Sequence, residues 1–334
     1  MPQTGGEGAG LDRLLGAMPP ASGAIVMGTG IVSVALSQDG QEWLSRLLLV
    51  LAAAIWLTLG VLLAARALRD HAQFRRDVRL PAAFTAVAGT AVLGTRLTLL
   101  GWHRVGAALL AIAVILWLGL LAPVLRNWTA PTVGASFVLT VGTESLALLA
   151  AVLAFEYRAG WLLEAALVPF VLGLCFYAFV LSRFDRRQLA IGRGDHWVTG
   201  GALAISTVAA GRITLAADRL DLLGGAVGVL RGVALALWVL TFLWLPVLLV
   251  AEARHRRVRY DVRRWSTVFP VGMYAACSFV VGDVASAPLV TSFARVWVWV
   301  ALAVWAVVAF GLARTAAEAL GQAPPRPRPR DGEV

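Results

Sequence analysis

The chain has 334 residues, 59% of them hydrophobic and 14% charged, with a mean hydropathy of +0.78. That leaves too little polar material to clothe a water-soluble globule, so membrane embedding is the class that remains. The formal net charge of +10 rests on 29 basic residues, all arginines, most of them between apolar runs; this is a topology signal and not a nucleic-acid-binding face.

A run of about 17 to 25 apolar residues crosses a bilayer as a helix. The chain holds ten, over residues 20–37, 43–65, 81–101, 105–126, 132–154, 161–182, 197–217, 227–251, 265–286 and 292–313. A ten-helix membrane domain over 19–315 is therefore expected. Residues 1–18 precede it as a short segment without a signal-peptide pattern, and 316–334 follow as a Pro/Arg-rich tail expected to be disordered.

Arginine bias orients the spans. The loops after spans two, six and eight carry Arg66, Arg69, Arg75, Arg76 and Arg79, then Arg183, Arg186, Arg187 and Arg193, then Arg254, Arg256, Arg257, Arg259, Arg263 and Arg264; the opposite loops hold single arginines such as Arg46, Arg104 and Arg158. The positive-inside rule predicts a multi-pass protein of the cell (inner) membrane with both termini cytoplasmic. Trp43, Trp102, Trp128, Trp161, Trp197 and Trp265 fall at span ends, where an interfacial aromatic belt is expected.

Odd and even spans differ in character. Odd spans are dense in Gly, Ala, Ser and Thr, as in A-S-G-A-I-V-M-G-T-G-I (Ala21 to Ile31). Even spans are bulkier and carry Trp56, Trp117, Trp238 and Trp305 deep inside them. Small residues let helices approach closely and bulky ones face lipid without loss, so odd helices are expected inside and even ones outside. A weak internal repeat, G-T-R-L-T (Gly94 to Thr98) in span three and G-R-I-T (Gly211 to Thr214) in span seven, fits one inner-plus-outer hairpin used five times.

Phe269, immediately before Pro270 in span nine, stands where a spanning helix would bend, and is the candidate plug of an ion pathway. Odd-span interiors are polar mainly through hydroxyls such as Thr29, Thr143 and Ser206, which suits anions: fixed charge in a bore would hold them too tightly to release, whereas freed backbone N–H groups and half-helix dipoles attract them softly. Charges within or at the ends of spans include Arg96, Glu144 and Arg212. Glu144 is the deepest; it either couples to protons or pairs with Arg96 or Arg212 as structural glue, and the structural reading is favoured. Cys175 and Cys277 lie in apolar runs and read as buried small hydrophobes. The four histidines fall in loops or at span ends, so no metal site and no cofactor are expected.

P-P-A-S-G-A-I-V-M-G-T-G-I-V-S-V-A-L (Pro19 to Leu36), V-G-T-E-S-L-A (Val141 to Ala147), G-G-A-L-A-I-S-T (Gly200 to Thr207) and W-S-T-V-F-P-V-G-M-Y-A (Trp265 to Ala275) resemble the tellurite-resistance/C4-dicarboxylate transporter family, which includes plant slow anion channels, yeast malate permeases and sulfite efflux pumps. The resemblance implies an all-α homotrimer of ten-helix protomers, each with five hairpins in quasi-fivefold order around a central pore. It also implies a pore lined by odd helices, kinked at prolines or glycines and closed by Phe269. The lining positions are then Pro20, Gly28, Gly30, Thr143, Gly201 and Pro270. The expected function is an anion channel or secondary carrier for inorganic anions, C4-dicarboxylates, sulfite or tellurite. The alternative from another class is a polytopic membrane enzyme or cofactor-binding subunit, which would need a cluster of titratable groups around one cavity.

Overall fold

The computed structural model describes residues 19–191, 194–255 and 260–321. Residues 1–18, the end of the Pro/Arg-rich tail at 322–334, and Arg193, Arg256, Arg257 and Arg259 lie outside the described residues. Among the described residues ten helices are long and apolar enough to cross a membrane. They are α1 (Gly23–Gln38), α2 (Glu42–Arg69), α3 (Thr85–Leu99), α4 (His103–Arg126), α5 (Val138–Tyr157), α6 (Gly160–Ser182), α7 (Trp197–Arg219), α8 (Ala226–Arg254), α9 (Trp265–Val284) and α10 (Pro288–Gly321). Each coincides with one expected span. The last runs on to Gly321, so residues 316–321 belong to a helix and not to the tail.

Local chemistry sets the boundaries. Single 3-10 turns lead into α1, α3, α5 and α9, and two of them open on a proline, Pro20 and Pro81, at a position whose N–H has no helical partner anyway. Gly40 and Gly101, at φ of 80° and 92°, supply the left-handed backbone that reverses α1 into α2 and α3 into α4. Hydropathy did not foresee the short helix His71–Asp77, because it is polar. It is capped by Asp70, whose carboxylate accepts from the Gln73 N–H, and is held by a 2.6 Å ion pair between Asp77 and Arg66 at the end of α2.

Lipid tails are as apolar as leucine, so residue size, and not hydrophobicity, sorts helices inside a bilayer. The odd helices are buried over 72–100% of their apolar windows and the even ones over only 17–28%. Contacts between odd helices run α1 to α3 to α5 to α7 to α9 and back to α1, a closed cycle, and each even helix packs on its hairpin partner and on the next odd helix.

The deep tryptophans do not face lipid as their bulk suggested. Trp56 of α2 donates to Thr90 of α3 (2.8 Å), Trp117 of α4 to Thr143 of α5 (2.9 Å), Trp238 of α8 to Ser278 of α9 (3.0 Å) and Trp305 of α10 to Thr29 of α1 (3.0 Å). An indole N–H left bare in hydrocarbon is costly, and the neighbouring hairpin offers the nearest acceptor. Two end-of-span tryptophans are likewise buried and not interfacial: Trp197 donates to Glu252 and Trp265 to Tyr260. Cys175, expected to be buried, is exposed on the outer face of α6, whereas Cys277 is buried.

Candidate functional site

The closed cycle of odd helices defines an axis, and helix register says which side chains face it. A narrow void is lined by residues of four of the five inner helices. Ile31, Val92 and Val208 each come 11 residues after the first residue of their spans, Pro20, Pro81 and Trp197; Val34, Thr95 and Leu148 come 14 after Pro20, Pro81 and Gly134. The same count places the indole-bonded hydroxyls Thr29, Thr90 and Thr143, together with Ser206, at position 9. At about 100° per residue, positions 9 and 11 lie about 200° apart, on opposite sides of the helix. These four inner helices thus turn a hydroxyl outward to hold a neighbour and a mostly aliphatic face inward.

Ser278 comes 16 residues after Val262, which is one outward heptad beyond position 9, and Phe269 comes 7 after it, one heptad before position 14. Phe269 therefore shares the phase of the void-lining residues. It is completely buried, and α9 runs unbroken through it and Pro270. The Pro270 ring lies so near Gly201 of α7 that a Cβ there would sit 2.8 Å from its Cγ. Gly28 of α1 packs in the same manner on Val268 and Trp265, and Gly30 on Val92 of α3. Pro20 stands in the 3-10 turn ahead of α1, and Thr143 turns its hydroxyl outward to Trp117.

The three charges do not form one cluster. Arg96 binds Glu42 at 2.7 Å and Ser45 at 2.8 Å, and not Glu144, for which it was one of two candidate partners. Glu144 is fully buried on the outward side of α5; its Oε1 accepts from Ser206 of α7 at 3.0 Å, and its Oε2 has no hydrogen-bond partner among the described residues. It lies against Gly173 of α6, where any side chain would collide with the carboxyl. Trp56 and Trp117 come 14 residues after Glu42 and His103; the same count from Gly160 reaches Leu174, beside that glycine. Glu144 thus fills the place that an indole takes in the sectors of α2 and α4. Arg212, one of the charges expected within or at the ends of spans, lines the axial void.

Two larger grooves, of about 770 and 440 Å³, open between the outer helices α4 and α6 and between α2 and α4; the first is lined by apolar side chains, and the second also by Ser22, Arg66, Asp77, Thr85 and Thr90. Among the described residues no group of three or more His, Cys, Asp or Glu is placed to hold a metal. Sequence reading missed the shared register. Setting the inner spans one above another by their first residues would have exposed it, since Thr29, Thr90, Thr143 and Ser206 then fall in one column.

Two proteins of Mycobacterium tuberculosis, from strains CDC 1551 / Oshkosh and H37Rv and both described as uncharacterized membrane proteins, are 32% identical to this chain over 132 residues. The match spans 38% of this chain and 66% of each relative's length, under two thirds of it. Residues 17–313, almost the whole membrane portion, match the family described as voltage-dependent anion channel, SLAC1. The closed cycle of five slender helices and the match along its full length agree, and the chain belongs to that family of anion channels and transporters.

Proposed function

We propose that this protein passes small anions across the cell membrane along the axis of its five inner helices, with the Phe269 ring as the plug. The observation that carries the reading is the register: Phe269 falls in the phase of Val34, Thr95 and Leu148 around the void, on a helix pressed against α7 where Gly201 meets Pro270. The void has room for about one water, roughly 10 Å³, which favours a small inorganic anion over an extended C4-dicarboxylate. Both termini belong on the cytoplasmic side, with the arginine-rich loops. The protein works as a homotrimer joined through the apolar outer faces of the even helices.

The test is anion flux into proteoliposomes. Phe269→Ala raises it well above wild type, because truncating a buried ring leaves an open passage. Unchanged flux from a variant that folds and assembles normally would refute the plug.

A further inference from the structure

Arg96 and Arg212 occupy the same register, 15 residues after the first residue of their spans, Pro81 and Trp197. Their surroundings differ. Arg96 is neutralised by Glu42, the first residue of the outer helix α2. The corresponding outer helix for Arg212 is α6, and its first residue is Gly160. Among the described residues no carboxylate lies within ion-pair distance of Arg212; Asp283 and Glu156 reach it only through their field. Its side chain lines the axial void, and so does that of Gln38, whose Oε1 is buried with no hydrogen-bond partner among the described residues. A half-turn of that amide would present its NH2, a donor, to the same space.

The end of the axis at which this happens matters. All five inner helices run in the same direction, so their C-terminal ends meet at the arginine-poor mouth, each carrying about half a negative charge. An anion crossing there meets a repulsive field unless a cation offsets it. Arg212 is that cation, and the more distant Asp283 and Glu156 temper it, as release of a conducted ion requires.

We propose that Arg212 and Gln38 form a weak binding site for a halide-sized monovalent anion at the C-terminal mouth of the inner ring. The proposal rests on the transport reading for its role, and its test separates the two. Bromide flux into proteoliposomes and bromide-81 NMR line broadening by the purified protein are measured for wild type, Arg212→Gln, Arg212→Lys and Gln38→Leu. Arg104→Gln, which removes an exposed charge from the same face, is the control.

The half-saturating bromide concentration is expected to rise about tenfold in Arg212→Gln, the scale of one charge-assisted hydrogen bond. It should rise less in Gln38→Leu and stay near wild type in Arg212→Lys and Arg104→Gln. If wild type conducts and Arg212→Gln matches Arg104→Gln in both measurements, the site is refuted while transport stands. If neither wild type nor Phe269→Ala passes bromide, the transport reading fails, and line broadening alone decides the site: loss in Arg212→Gln but not in Arg104→Gln supports it, and equal broadening overturns it.

Discussion

Gly201→Ala offers the sharpest test of the inner packing, because propensity and sterics pull in opposite directions. Replacing a helical glycine by alanine gains up to about 1 kcal/mol of backbone propensity. At position 201 the added methyl would lie 2.8 Å from Pro270 Cγ, 3.1 Å from its Cβ and 3.3 Å from its Cα, a rigid ring on another helix that cannot rotate away. Overpacking of that kind costs about 1–3 kcal/mol. Gly60, in the middle of α2, is the internal control, since nothing lies within 4 Å of a Cβ built there. The propensity gain is common to both variants, so their stability difference isolates the clash, at about 1–3 kcal/mol with Gly60→Ala the more stable. Denaturant titration in mixed micelles, followed by far-ultraviolet circular dichroism, measures it. If Gly201→Ala proves as stable as Gly60→Ala, α7 and α9 do not approach as described, and Phe269 loses the contact that fixes its neighbour.

Two further outcomes follow from the buried charges. Asp77→Asn replaces a charge-assisted hydrogen bond to Arg66 by a neutral one in a site where both side chains are less than 10% exposed, and should cost about 1.5–3 kcal/mol of stability in the same titration; a loss below 1 kcal/mol would mean that the short helix His71–Asp77 is not anchored there. Glu144→Gln keeps an acceptor for Ser206 and fits beside Gly173, so flux and its dependence on a pH gradient should both match wild type. Flux that loses its pH dependence in this variant would instead assign Glu144 to proton coupling.

The ten spans were legible because hydropathy over some twenty residues is a strong signal, and the division into inner and outer helices followed from residue size. What escaped was direction. In a water-soluble helix the polar face announces the exterior, but here lipid-facing and core-facing positions are both apolar, so nothing in Trp117 said that its indole turns inward to Thr143, and nothing in Trp265 said that it is buried under Tyr260. Pairing was hidden for a related reason. Glu42 stood at a span end as an ordinary loop acid, and its bond to Arg96, 54 residues away, depends on how two hairpins meet. The candidate site was legible in part: the Phe269–Pro270 motif could be read, but Gln38 could not, because a lone glutamine at the close of a span looks like any interfacial residue until four helices are drawn around it.

Helix α10 has 34 residues, a rod of about 51 Å against a hydrocarbon slab of about 30 Å. The eight residues past the apolar span, 314–321, extend it by about 12 Å on the arginine-rich side, where its sequence turns polar and Arg314 reaches Glu318 one turn on. The same rod grips Thr29 of the first inner helix through Trp305. A pull or twist on its outer end would reach the inner ring through two indoles, Trp305 on Thr29 of α1 and Trp297 on the Val271 carbonyl of α9.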